Sequence, residues 1–253
     1  MVPPVTGPKR YDDLGEAIMG SARRATLPFE EAEGHANYGT AFWYNHVVED
    51  TLEGTVYVQY LVTAEALTGI EYADFTLRAE VADPAPSADH VIVTEFAAGW
   101  TRLPRVGVAV MPATILHAYA DRKGWKWATD QITDGLAARE ADVATIGRTP
   151  VDACVVGHDL GAAGEREQAL VVGSVALDQR GRLRWTTRMP PGCVGAPVFT
   201  TIPVDDKGYK LVCLGVVLPG EGYHEIASFD RIRTEVAALV APPSRPWWKR
   251  RKG

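Results

Sequence analysis

The thiols and imidazoles of this sequence are Cys154, Cys193 and Cys213, with His35, His46, His90, His117, His158 and His224. No two cysteines form a C-x-x-C pair, and an odd number argues against a full disulfide framework. No histidine pair has the i, i+4 spacing of a helical zinc site, and no Cys/His cluster has metal spacing. No metal or cofactor is therefore expected. Cys193 is the sharpest candidate. It lies in "PPGCVGAPVF", residues 190–199, between Gly192 and Gly195. A thiolate there is a nucleophile if a base and positive surroundings lower its pKa. The alternative is a small apolar side chain filling a gap. Each histidine, including His46 and His158, reads as a surface or loop residue. The two loop glycines either keep amides free to bind an anion or only make the turn that packs Pro197 and Phe199.

Such chemistry needs a scaffold. From Gly39 onward the texture is of short runs rich in Val, Thr, Phe and Tyr, such as "GTAFWYNHVV", "GTVYVQYLVT" and "RVGVAVM". Polar or Gly-containing breaks separate them. Residues 112–149 lose this texture and read as short helices or a long decorated loop. Strands resume at "DACVVG" and run to "KLVCLGVVL". About ten strands are expected, which suggests a mostly β barrel or sandwich. Near the start, Tyr11, Leu14, Ile18 and Ala22 fall on one helical face. In "SFDRIRTEVAALV" Ser228 can cap a final helix, with Phe229, Ile232, Val236 and Leu239 on one side.

Three stretches, in order, resemble the trypsin-like (chymotrypsin-fold) serine peptidases of the bacterial stand-alone kind. "GTAFWYN" with "YLVTAEAL" is similar to the family's "GTGF…YLVTNRHV". "WTRLPRVGVAVMP" is similar to "W…HP…DVAVMPL". "DACVVGHDL" through "RMPPGCVGAPVF" is similar to "DVFVIGYP…PGSSGSPVF". The ending "CLGVVLPGEGYHEIASFDRIRTEV" fits the closing strands and helix, so the resemblance covers about 39–240. It implies a double six-stranded β-barrel. The expected parts are an N-terminal arm with a short helix (1–38), an N-terminal barrel (39–111), an insert (112–149), a C-terminal barrel with closing helix (150–241) and a tail (242–253).

The family's chemistry needs a His base, an Asp that orients it and a Ser nucleophile, in that chain order. The corresponding positions here hold Ala66, Gly107 and Val194. None of these side chains transfers a proton. Asp142, in "EADVATIG", is the other candidate for the Asp position, but it follows the insert and leaves little chain for the opening strands of a second barrel. Viral relatives use Cys at the position of Val194, one residue beyond Cys193. The implied oxyanion loop is Gly192, Cys193, Val194 and Gly195, with the amides of 192 and 194 forming the hole. The reading is an inactive triad: a pseudoprotease that binds an unidentified protein or peptide partner. The alternatives are a hydrolase using Cys193 and a structural module of a larger assembly.

Composition limits the partners. A net charge of −6 gives no reason to expect nucleic acid along most of the surface. The exception is the end, where Trp247 and Trp248 precede Lys249, Arg250, Arg251 and Lys252. That segment suits an anionic partner or a solubilising end. Neither a secretory leader nor an apolar run of membrane-spanning length is visible. A bacterial cytoplasm is the expected compartment.

Overall fold

The computed structural model describes residues 8–33, 38–86, 90–160, 166–204 and 208–240. The tail 242–253 and His35 lie outside the described residues. Fifteen strands are described: β1 Thr26–Glu31, β2 Tyr38–Thr51, β3 Gly54–Ala64, β4 Ala73–Thr76, β5 Ala82–Asp83, β6 His90–Val93, β7 Thr101–Leu103, β8 Val108–Pro112, β9 Lys126–Trp127, β10 Val151–Leu160, β11 Arg166–Leu177, β12 Leu183–Trp185, β13 Pro197–Val204, β14 Gly208–Val217 and β15 His224–Ser228. The helices are α1 Pro8–Ala22, α2 Thr114–Lys123, α3 Glu140–Val143 and α4 Phe229–Val240.

Thirteen of the strands form two units, and β5 and β9 pair as a separate two-stranded sheet. The first is a curled seven-stranded sheet in the order β6-β4-β1-β2-β3-β8-β7. The second is a closed six-stranded barrel, β10-β11-β12-β15-β14-β13. The mostly β, two-unit architecture with flanking helices is thus the one expected, with a seventh strand in the first unit. Part of the reason is β1. It pairs with β2 from Thr26↔Phe42 to Glu30↔Tyr38 and with β4 from Phe29↔Phe75 to Glu31↔Ala73, so the sheet begins well before Gly39. Its sequence, "TLPFEE", carries a proline that hides its strand character.

Side chains alternate across a strand, and here both faces of the first sheet are covered. Phe42, Tyr44, Tyr60, Val62, Val108 and Val110 join one core shared with the barrel, α1 and α4. Ala41, Trp43, Leu61, Ala109 and Met111 join a second core with Phe29, Phe75, Phe96 and Trp125. Burial on both faces explains why "TAFWY", "YLV" and "VAVM" are continuous apolar runs. Each large side chain so buried contributes about 1.5–3 kcal/mol.

The segment 112–149 ties the units together. Ala113, Leu116 and Ala120 of its first part pack in the second core, while Ile132, Ala137 and Ile146 enter the shared core. Asn45 N–H donates to Ile132 O (3.0 Å), and Ala138 N–H donates to Cys213 O (2.9 Å). In α1, Leu14, Ile18 and Ala22 are buried. In α4, Phe229, Ile232 and Val236 are buried but Leu239 is exposed.

The histidine expectation needs correction at two positions. His46 and His158 are both buried. His46 follows the buried face of β2 and shares a hydrogen bond with Tyr44 Oη (3.2 Å). His158 lies on β10 where the two units meet. Its Nε2 shares a hydrogen bond with Thr26 Oγ1 (3.0 Å), which also accepts from Gln168 Nε2 (3.0 Å). Arg78 completes this junction by donating to Gln168 Oε1 (2.9 Å) and to Thr26 O (3.1 Å).

Candidate functional site

Ala66 lies in a one-turn 3₁₀ helix, Glu65–Leu67, formed where β3 ends. Gly107 makes the turn between β7 and β8 at φ +68°, a left-handed conformation that glycine adopts without strain. The two positions are adjacent: Glu65 N–H donates to Gly107 O (2.9 Å). They line one cavity of about 490 Å³, with Glu65 and Gly69 at the end of β3, Arg102 of β7, and Leu218 and Pro219 just after β14. None of the described lining residues is a serine, threonine, cysteine or histidine. Glu65 and Arg102 have no ion-pair partner among the described residues. Segment 112–149 contributes nothing to this lining.

Val194 belongs to the loop that docks on the sheet nearby. Thr40 N–H donates to Val194 O (2.9 Å), and Thr40 Oγ1 donates to Gly192 O (2.8 Å). Thr63 Oγ1, two residues before Glu65, donates to Thr40 O (2.8 Å). Gly39 is packed so closely that an added Cβ would lie 2.3 Å from Leu67 Cδ1 and 2.8 Å from Val194 O. The chain segments carrying residues 66, 107 and 194 therefore meet at one junction between the sheet and the barrel.

Asp142 is elsewhere. It accepts from Arg139 N–H (2.9 Å), capping α3, and pairs with Lys210 Nζ of β14 (3.1 Å). These bonds hold its carboxyl below the usual range, against the opposing effect of its partial burial.

The amides of residues 193–196 are already used. Cys193 N–H donates to Pro190 O (3.0 Å) and Val194 N–H to Pro191 O (3.1 Å), closing a 3₁₀ turn over Pro191–Cys193. Gly195 N–H donates to Val217 O (2.9 Å), and Ala196 N–H to Cys193 O (3.1 Å). An anion placed against this loop finds the amide of residue 194 occupied, so an oxyanion hole needs that turn to open.

Cys193 is fully buried, and its side chain fills the space over Gly157, where an added Cβ would lie 2.6 Å from Sγ. Burial, reinforced by the negative charge of Asp159, pushes its thiol up to about 12. Burial likewise pushes Cys154 up to about 11 and raises Cys213. A nucleophilic cysteine needs the opposite environment. Among the described residues no imidazole is hydrogen-bonded to Cys193. His158, one strand position from Gly157, points to Thr26, and His224 Nδ1 donates to Leu218 O (2.9 Å). His90 bonds Asp74 (3.1 Å), and His117 bonds Gln59 (2.6 Å). A disulfide-exchange reagent at neutral pH should therefore find essentially no reactive thiol in the native protein and all three cysteines after denaturation. Rapid loss of one thiol under native conditions, abolished by Cys193→Ser, would reverse this assignment.

Sequence reasoning singled out residues 66, 107 and 194 but not Thr40 and Thr63, which hold the loop, nor Arg102, Leu218 and Pro219, which wall the cavity. Each stands within a stretch that carries the resemblance, such as Thr63 and Glu65 in "YLVTAEAL" and Arg102 in "WTRLPRVGVAVMP", but nothing local distinguishes them there.

No group of three His, Cys, Asp or Glu side chains among the described residues is placed to hold a metal ion. None of the described helices is long and apolar enough to cross a membrane. No family model matches the sequence, and no curated protein matches it either. Among solved structures, the chain is similar to the catalytically inactive tobacco etch virus protease complexed with substrate, at 9% identity and a TM-score of 0.49, over 87% of this chain and 86% of that one. The catalytically active form of that protease, complexed with product, gives 9% and 0.47 over 88% and 77%. The serine endoprotease from Yersinia pestis gives 12% and 0.46, over 90% of this chain and 64% of the endoprotease.

Proposed function

We propose that this chain is a trypsin-like peptidase homologue with Ala66, Gly107 and Val194 at the triad positions, and that it works as a non-catalytic peptide- or protein-binding module, in a bacterial cytoplasm. The observation that carries this reading is the cavity at the sheet–barrel junction. It is open, it holds Ala66 and Gly107, and it offers an apolar wall with one carboxylate and one guanidinium. Such a surface can grip a peptide by side-chain packing and charge without any covalent step. An open cavity also favours binding over a purely structural role. The hydrolase alternative through Cys193 meets a buried, high-pKa thiol to which no imidazole among the described residues is hydrogen-bonded.

The test combines chemistry and binding. A fluorophosphonate probe should leave the protein unlabelled, and casein should remain uncut. A peptide library panned on the protein should yield binders whose affinity falls at least about tenfold, or 1.4 kcal/mol, when Ala66→Phe fills the cavity. Ala66 is exposed, so that variant should keep its thermal midpoint. Turnover of any ester or peptide, or binders indifferent to Ala66→Phe, would sink the proposal.

A further inference from the structure

The β2–β3 hairpin continues past the sheet that anchors it. β1 pairs with β2 only as far as Phe42, and Ile132 bridges it at Tyr44. β8 pairs with β3 only from Tyr60 onward. Residues 46–58 thus form a two-stranded ribbon with no described neighbouring strand at either edge. Val48, Leu52, Val56 and Tyr57 are exposed on it. An isolated two-stranded ribbon is marginal in water, and open edges with apolar side chains are normally covered. The ribbon is also one-signed. Residues 45–59 contain Glu49, Asp50 and Glu53 and no lysine or arginine. Among the described residues no cation pairs with these three carboxylates.

The same chain contains a segment of complementary chemistry. Residues 241–253, outside the described residues, include Trp247 and Trp248, five basic residues (Arg245, Lys249, Arg250, Arg251 and Lys252) and no acid. We propose that this C-terminal segment docks on its own chain's β2–β3 ribbon, setting the two tryptophans on the exposed Val, Leu and Tyr side chains and the basic run against Glu49, Asp50 and Glu53.

The geometry allows it. α4 lies beside the root of the ribbon: the rings of Tyr44 and Phe229 are 5.0 Å apart, and the charge of Arg233 acts on both Tyr44 and His46. From Arg233 the helix runs on for about 10 Å to Val240. The ribbon extends about 17 Å from His46 to its tip. Thirteen residues span up to about 43 Å when extended, so the whole ribbon is within reach. A second copy of the ribbon fits less well as the occupant, because it would bring like charges together.

Hydrogen exchange on the full-length protein tests this. Two full-length variants are compared with the parent: Trp247→Ala with Trp248→Ala, and Lys249, Arg250, Arg251 and Lys252 all changed to Gln. Amides 46–58 should exchange about tenfold faster in each variant, with core strand β13 unchanged as the internal control. Raising salt from about 0.05 to 0.5 M should speed ribbon exchange in the parent, because the contact is partly ionic. Parent protection should not depend on protein concentration. Equal exchange in parent and variants would overturn the proposal. Protection that grows with concentration would assign the ribbon to a second copy and overturn it too.

Discussion

Gly195→Ala should destabilise the protein by about 2–5 kcal/mol and lower its thermal midpoint by roughly 10 °C, at about 2–4 °C per kcal/mol for a chain near this size. Two effects combine. Gly195 sits at φ +85°, where a Cβ adds about 1–2 kcal/mol of strain. The added carbon would also lie 2.2 Å from Thr63 Oγ1 and 2.3 Å from Thr40 O, the two ends of one buried hydrogen bond. Relieving that clash breaks the bond and leaves buried polar groups unpaired, at about 1–3 kcal/mol. Neither neighbour can step aside cheaply, since one is backbone and the other is a fully buried side chain. Gly107→Ala provides the contrast. Its φ is also positive, but its added Cβ meets only Leu218 side-chain carbons, at 3.4 and 3.6 Å. About 1–2 kcal/mol is expected there. Denaturant unfolding of both variants measures the difference. Equal losses would mean that the loop is not clamped on Thr40 and Thr63 as described.

Stability should also fall steeply in mild acid, through His158. Burial, with Arg78 adding a second positive charge nearby, lowers its pKa from 6.5 to about 3. The sign follows from proton counts. Between pH 6.5 and about 3 the unfolded chain binds a proton on this imidazole and the folded protein does not, so protonation favours unfolding. The contribution is intact above pH 6.5 and is lost progressively as pH falls towards 3. At 1.36 kcal/mol per pKa unit, the full loss is about 5 kcal/mol. The physical reason is the junction itself. His158 Nδ1 has no hydrogen-bond partner among the described residues, and a charged ring there would lie in the field of the Arg78 guanidinium. His158→Gln keeps a donor and acceptor for Thr26 and removes the titration. Its unfolding free energy should therefore vary markedly less than the parent's between pH 7 and pH 4. Parallel pH profiles for parent and variant would refute the assignment, and carboxylates such as Asp142, held low by Arg139 and Lys210, would then account for the acid sensitivity.

The sequence by itself determined the secondary-structure class and the residue chemistry at the critical positions. Runs such as "ALVVGSVAL" and "KLVCLGVVL" read as strands because β-branched residues fit a pleated, buried surface. The helical period of Phe229, Ile232 and Val236 marked α4. That positions 66, 107 and 194 hold Ala, Gly and Val needs only the printed letters. The rest was decided by contacts between segments far apart in the chain. β1 is a strand because β2 and β4 flank it, and "TLPFEE" alone does not announce that. His158 reads as a loop histidine until Thr26, Gln168 and Arg78 close over it. Cys193 reads as a possible nucleophile until Gly157 shows where its sulfur goes. Nothing local in "PPGCVGAPVF" says that the amide of residue 194 donates to Pro191 O, or that Thr40, about 150 residues earlier, donates to the loop's carbonyls. Composition and periodicity report what a segment can bury. Which carbonyl, which ring and which charge it is buried against depends on how two separately formed β units pack, and only the tertiary structure supplies that.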